Sequence, residues 1–177
     1  MGGFFKKRFE NFKEKEAAKN NAGFAAFRSG KELYFAFVRK HGEKYGCGTG
    51  DASLKMAYEY YCTAAQGADM DKRFADVART YVELGKVCEL LGEYGKSIEH
   101  RRKAIELFEA MPDISDGDRE SVRDSYMYLA MSLFHNNEKD EALRIAKIGL
   151  KKYEQANDPY GIKTLSDLIE KIESENN

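Results

Sequence analysis

Proline is nearly absent from this chain: two residues in 177, Pro112 and Pro159. Tryptophan is missing altogether, while 33% of residues are charged, a profile that suits a soluble, mostly helical protein. The three cysteines, Cys47, Cys62 and Cys88, are odd in number and lack CxxC spacing. They fit no disulfide framework, and free or buried thiols in a reducing cytoplasm are the expectation. No apolar run approaches the roughly eighteen residues that a membrane span needs. A secretory leader is not expected either, because Lys6-Lys7-Arg8 interrupts after Phe4-Phe5 where an apolar stretch should continue. An excess of one charge is lacking too: 29 Lys and Arg against 30 Asp and Glu leave a formal net charge of −1. A general nucleic-acid binder would show a basic surplus, so nucleic acid is not the expected partner.

Catalytic constellations are also missing. Gly46-Cys47-Gly48-Thr49-Gly50 is glycine-rich, but Asp51-Ala52 follows where a phosphate-binding loop needs Lys and then Ser or Thr. A carboxylate at that mouth repels phosphate, so the run reads as a flexible inter-helix turn. His41, His100 and His135 are scattered, with no ligand-type partner one helical turn away. Cys47 near His41 lacks a third, orienting group. HExxH, GxSxG and calcium-loop spacings do not occur. Asp113, Asp116 and Asp118 read as loop and cap residues. No cofactor, no metal and no enzymatic activity are expected.

What the chain does have is one template carried twice, about 45 residues apart. The first copy, Tyr81 to Glu109, holds Tyr81, Leu84, Gly85 and Cys88, then Gly92-Glu93-Tyr94, then Ser97, Ile98, Ala104, Ile105 and Leu107. The second, Tyr126 to Glu154, holds Tyr126, Leu129, Ala130 and Leu133, then Asn137-Glu138-Lys139, then Ala142, Leu143, Gly149, Leu150 and Tyr153. Large apolar residues recur at steps of three and four, which collects them on one helical face. The small residue after Leu (Gly85, Ala130) lets a second helix approach. Gly92 and Asn137 tolerate positive φ and can end the first helix in a left-handed cap. Two antiparallel helices follow, and a single such pair cannot bury its apolar face alone, so neighbours must stack.

This template resembles the tetratricopeptide repeat and looks like the longer-repeat branch of that family, seen in adaptor and regulatory proteins. It departs from the family at several positions. Ser97 stands where Ala is usual, and Cys88 and Arg101 stand where a large aromatic is usual. Ala130 replaces Gly, Asn137 replaces the turn Gly, and Gly149 replaces Ala. The closing Pro is absent at Glu109 and Glu154, although Pro112 and Pro159 lie just beyond. The spacing exceeds the family's usual length of about 34 residues, and the loop Met111 to Gly117 accounts for the excess. The resemblance implies an all-α fold: a right-handed superhelical array of antiparallel hairpins, about three repeats, with a C-terminal capping helix.

The flanks extend this plan. Tyr34, Phe37, Val38 and His41 share one face, and Leu54, Ala57, Tyr58, Tyr61 and Ala64 or Ala65 share another, which makes a degenerate first hairpin with Asp51 capping its second helix. Ile162, Leu165, Leu168, Ile169 and Ile172 make a closing amphipathic helix. The expected helices are 31–44, 52–66, 71–91, 94–110, 118–136, 139–154 and 160–174. Residues 1–30 read as a separate amphipathic, basic arm and 31–177 as the repeat domain. In the arm, Phe5, Phe9 and Phe12 form a stripe flanked by basic residues. It packs on the repeats, frays, lies on a membrane surface through residues 4–15, or docks into the chain's own groove or a second subunit, so that a homo-oligomer is one of the alternatives. A myristoyl anchor is not expected, because Lys6 stands where Ser or Thr is needed.

By the same resemblance, the partner-binding surface lies on the first helix of each hairpin, beside the Leu-Gly stripe. The matching residues are Arg79, Val82, Glu83, Lys86, Glu89 and Leu90, and then Asp124, Met127, Tyr128, Met131, Phe134 and His135. The second set mixes Met, Tyr and Phe, as peptide-binding surfaces do. The alternative for Met127, Met131 and Phe134 is packing against the closing helix or the arm. Some family members clamp a chaperone's terminal carboxylate at the positions of Val82, Lys86, Asp124 and Tyr128. Only Lys86 has the right charge here, so that co-factor role is disfavoured. The expectation is a cytoplasmic scaffold or adaptor that holds a peptide or helical segment of another protein in a concave groove. A peptide-responsive signalling regulator and a membrane-surface scaffold anchored by the arm are the alternatives.

Overall fold

The computed structural model describes the backbone of residues 2–67 and 74–175, and the side chains of 22–66 and 75–175. Among the described residues there are seven α-helices and no strand: α1 (Gly2–His41), α2 (Ala52–Gly67), α3 (Phe74–Leu91), α4 (Tyr94–Glu109), α5 (Asp116–His135), α6 (Lys139–Ala156) and α7 (Pro159–Glu175). Six of the seven expected helices begin and end within three residues of these bounds. The first does not. The backbone is helical without a break across residue 30, so the arm and the first helix are one element of 40 residues. The expected helical residues 71–73 and the side chains of Phe5, Phe9 and Phe12 lie outside the described residues.

Local chemistry sets the ends of the helices. Asp51 Oδ1 accepts from the N–H groups of Ser53 (2.8 Å) and Leu54 (3.0 Å), capping α2 as expected. Ser115 caps α5, its hydroxyl accepting from Asp118 N–H at 3.2 Å. Helix α3 ends at Gly92 with φ +75° and α5 at Asn137 with φ +65°. In each case the next residue returns a hydrogen bond five residues back, Glu93 to Cys88 (2.9 Å) and Glu138 to Leu133 (2.9 Å). These satisfy carbonyls that the helix end would otherwise leave open. Asn157, φ +52°, ends α6 in the same way.

Neighbouring helices pair in sequence. Helix α1 packs on α2, α3 on α4, α5 on α6, and α7 covers α6. The pairs join through α2–α3 and α4–α5, while α3 also touches α5 and α5 touches α7. One core runs through α3 to α7 around Phe108, Leu129, Leu133, Tyr153 and Leu165. A second joins α1 and α2 to α3 around Tyr34, Phe37, Leu54, Tyr61, Leu84 and Val87. Side chains of this size each contribute about 1.5–3 kcal/mol when fully buried.

The small residues of the template lie inside these contacts. Ala130 is fully buried. A Cβ at Gly85 would stand 2.7 Å from Arg101 Nε, so this glycine makes room for a side chain of α4. A Cβ at Gly149 would meet Leu165 Cδ1 at 3.0 Å and Tyr126 Cβ at 3.3 Å, so α6 fits closely between α5 and α7.

Candidate partner-binding cleft

Five of the twelve expected partner-binding residues come together. Arg79, Val82, Glu83 and Lys86 of α3 and Asp124 of α5 line one cleft of about 350 Å³. They recur along α3 at steps of three or four, which turns them toward one side. The opposite wall comes from α1, where Gly23, Phe24, Phe27 and Lys31 complete the lining. Phe24 is 59% exposed, an unusual state for a large aromatic. The cleft is thus apolar through Phe24, Phe27 and Val82. Its charged lining is balanced, with Lys31, Arg79 and Lys86 against Asp76, Glu83 and Asp124.

The rim is ordered by its own pairs. Arg79 makes a bidentate bridge to Asp118, Nε–Oδ1 2.8 Å and Nη2–Oδ2 3.0 Å, and its Nη1 lies 3.2 Å from Asp76. The bridge ties α3 to α5. Burial works against the charged Asp118 carboxylate, but hydrogen bonds from Arg79 and Ser115 outweigh it and hold the pKa below the ordinary value. Lys86 Nζ lies 3.1 Å from Glu83. Asp124 accepts from the Tyr153 hydroxyl at 2.6 Å. Lys31 instead lies over the Phe35 ring, 5.6 Å from its centroid.

The other seven residues are elsewhere. Glu89, Leu90 and Met127 are buried, so they face the interior rather than an open groove. Glu89 is held by Arg101 of α4, Nε–Oε1 3.0 Å and Nη2–Oε2 3.1 Å. Ser97 donates to the same carboxylate at 2.9 Å. Arg101 is fully buried, with its Cζ 4.8 Å from the Tyr128 ring centroid. Burial opposes its charge, but Glu89 prevails and raises the pKa further. The aromatic position of the template is therefore filled by a buried ion pair. Burial pushes the Tyr128 phenol up to about 12.

Met131 and Phe134 are half-buried against the larger core, and Lys171 of α7 reaches over the Phe134 ring at 4.7 Å. For Phe134 this is a contact with the closing helix, while Met127 is buried within the same core. His135 stacks on Tyr45 (4.7 Å) and on Tyr94 (5.1 Å), whose own rings lie 6.1 Å apart, so the three form one aromatic cluster. Burial, with Lys171 adding to it, lowers its pKa and favours the neutral ring.

No family model and no curated protein matches the chain. The glycine-rich run is more than a flexible turn: Gly46 N–H donates to Glu89 O and Gly48 N–H to Leu90 O, both at 2.8 Å. Thr49 Oγ1 donates to Gly46 O at 2.7 Å and also reaches Leu91 O at 3.2 Å. The segment is thereby fastened to the end of α3. His41 stacks on Phe37 at 4.7 Å, and the Cys47 thiol points to Gly42 O at 3.8 Å, so the two do not form a thiol–base pair. Among the described residues no group of three or more His, Cys, Asp or Glu converges as metal ligands would.

Sequence reasoning missed Phe24, Phe27 and Lys31 because it assigned residues before 31 to a separate arm. A signal was present. Gly23, Phe27, Gly30, Tyr34 and Phe37 recur at steps of four and three, and that series runs straight through the supposed boundary.

Proposed function

We propose that this chain is a tetratricopeptide-like adaptor, a superhelical array of hairpins that holds a peptide or helical segment of another protein in the cleft between α1, α3 and α5. The observation that carries the reading is the convergence of Arg79, Val82, Glu83, Lys86 and Asp124 on one opening beside exposed Phe24. An amphipathic segment suits it. Apolar side chains of the ligand enter against Phe24, Phe27 and Val82, and its polar flank meets the charged rim.

Selection from a displayed peptide library tests the reading. Selected peptides bind the wild-type chain and lose at least tenfold in affinity, about 1.4 kcal/mol, against Phe24→Asp or Lys86→Glu. Both side chains are at least partly exposed, so neither change removes core packing. Unaltered binding to both variants sinks the cleft assignment. A regulatory form of the same idea rests on the Arg79–Asp118 bridge. A ligand carboxylate that competes for Arg79 loosens α3 from α5 and changes how the array packs.

A further inference from the structure

Charge is unevenly distributed along the chain. Residues 1–41 carry ten Lys and Arg against four Asp and Glu, a surplus of six cations. Residues 42–177 carry nineteen against twenty-six, a deficit of seven, and the two together give the net −1. One helix is basic and the rest of the protein is acidic.

Within the described part of α1, Phe24, Arg28, Lys31, Phe35 and Arg39 follow one another at steps of three or four, so they share one arc of the helix. All five are exposed, Phe35 at 44%. The packed side of α1 is a different one, where Tyr34 and Phe37 meet the core and Gly30 lies against Ala57 and Tyr61 of α2. Arg28, Lys31, Phe35 and Arg39, with Glu32, surround a shallow hollow on the outer surface. Among the described residues neither Arg28 nor Arg39 has an ion pair or a side-chain hydrogen bond. Guanidinium groups left unpaired beside exposed phenylalanines contribute nothing visible to the fold.

We propose that this face of α1 docks on an anionic lipid surface, with the helix lying in the plane of the headgroups. Clusters of Lys and Arg along a helix are drawn to the negative potential of an anionic leaflet. Phe24 and Phe35 fit the boundary between headgroups and acyl chains. At 40 residues α1 is about 60 Å long, which gives an extended line of contact. The acidic remainder of the molecule is repelled by the same surface, and this turns the basic helix toward it. Among the described residues no helix is long and apolar enough to cross a bilayer, so the helix lies on the surface rather than through it. A polynucleotide would also attract the cations. It is disfavoured because Phe24 and Phe35, interleaved with them on a single convex helix, would be pressed against charged phosphates.

The test is co-sedimentation of the full chain with two kinds of vesicle, phosphatidylcholine alone and phosphatidylcholine with phosphatidylserine. Binding is expected only to the second, and it weakens as salt is added. Arg28→Glu with Arg39→Glu lowers affinity by at least about 25-fold, at roughly fivefold for each basic residue removed. The milder Arg28→Gln with Arg39→Gln shows the same loss if charge reversal perturbs the helix. Phe35→Ser weakens binding while preserving its dependence on phosphatidylserine. Phe24 and Lys31 belong to both surfaces, but Arg28, Phe35 and Arg39 do not line the cleft, so these variants leave peptide binding there unaffected and the two readings fail separately. Equal binding to both vesicles, undiminished binding by both double variants, or tighter capture of duplex DNA or RNA through Arg28 and Arg39 overturns the proposal.

Discussion

Removing one half of the buried ion pair should be among the most damaging single changes in this protein. Glu89→Ala removes both side-chain hydrogen bonds of the Arg101 guanidinium, 3.0 and 3.1 Å, whose buried Nη1 already lacks a partner. Arg101 is fully buried and cannot turn to solvent without pushing apart α3, α4 and α5. Breaking a buried pair in this manner costs about 3–5 kcal/mol. The Ser97 hydroxyl also loses its acceptor at 2.9 Å, although Ser132 Oγ, 3.0 Å away, can take over. In a domain of this size each 1 kcal/mol lowers Tm by about 2–4 °C, so Glu89→Ala should melt on the order of ten degrees lower. Urea unfolding followed by far-ultraviolet circular dichroism measures the loss. Glu89→Leu combined with Arg101→Met should recover most of it, because an apolar pair of similar volume avoids desolvating two charges. A loss under about 1 kcal/mol for Glu89→Ala, or a double variant as unstable as the sum of its singles, refutes the argument.

Gly149→Val should cost about 1–3 kcal/mol, since new methyl groups meet Leu165 and Tyr126 where a Cβ alone would already be at 3.0 and 3.3 Å. Amide exchange should locate the damage in α7, and unchanged protection there counts against the contact. Gly92→Ala should lose about 1–2 kcal/mol because φ is +75°; chemical denaturation measures it, and a neutral result contradicts the left-handed cap. Glu141 is held at a pKa of about 2, well below its ordinary 4.5, first by its hydrogen bonds from Arg144; burial opposes this, and Arg102 adds to the lowering. Its folded-state pKa is depressed, so its contribution is present above pH 4.5 and disappears as pH falls toward 2. Glu141→Gln should flatten the stability curve in that window by under about 1 kcal/mol, as befits a surface pair. A curve superimposable on the wild type shows that the bridge adds nothing.

The parts of the fold that were legible are those set by local spacing. Apolar recurrence at three and four residues fixed α3 to α6, because each of those helices buries one stripe against its partner. Gly92, Asn137 and Asp51 were read correctly because a left-handed cap or a side-chain cap needs only nearby backbone. The start of helix α1 was placed at residue 31 because the basic, phenylalanine-rich character of residues 4–15 sets them apart from the repeats. In the fold, Gly23 is a buried small residue lining the cleft, and the helix passes through it. The candidate site was half legible for a related reason. A template places Glu89, Leu90 and Met127 on a face but does not say what covers that face. Arg101 carried a charge that reads as solvent-exposed, yet its head reaches into the space beside Gly85 and engages Glu89. Nothing local announces that a cation has replaced an aromatic ring.

The fastening of residues 46–49 onto Glu89, Leu90 and Leu91 bears on the order in which the molecule is built. That segment leaves the ribosome more than forty residues before the carbonyls it binds. The leading pair of helices therefore waits, with its connecting segment unanchored, until Leu91 has emerged. Anchoring it then should couple the stability of the first pair to that of the second. A nascent chain halted before that point should be readily cleaved by protease between His41 and Ala52, and one halted well beyond it should resist.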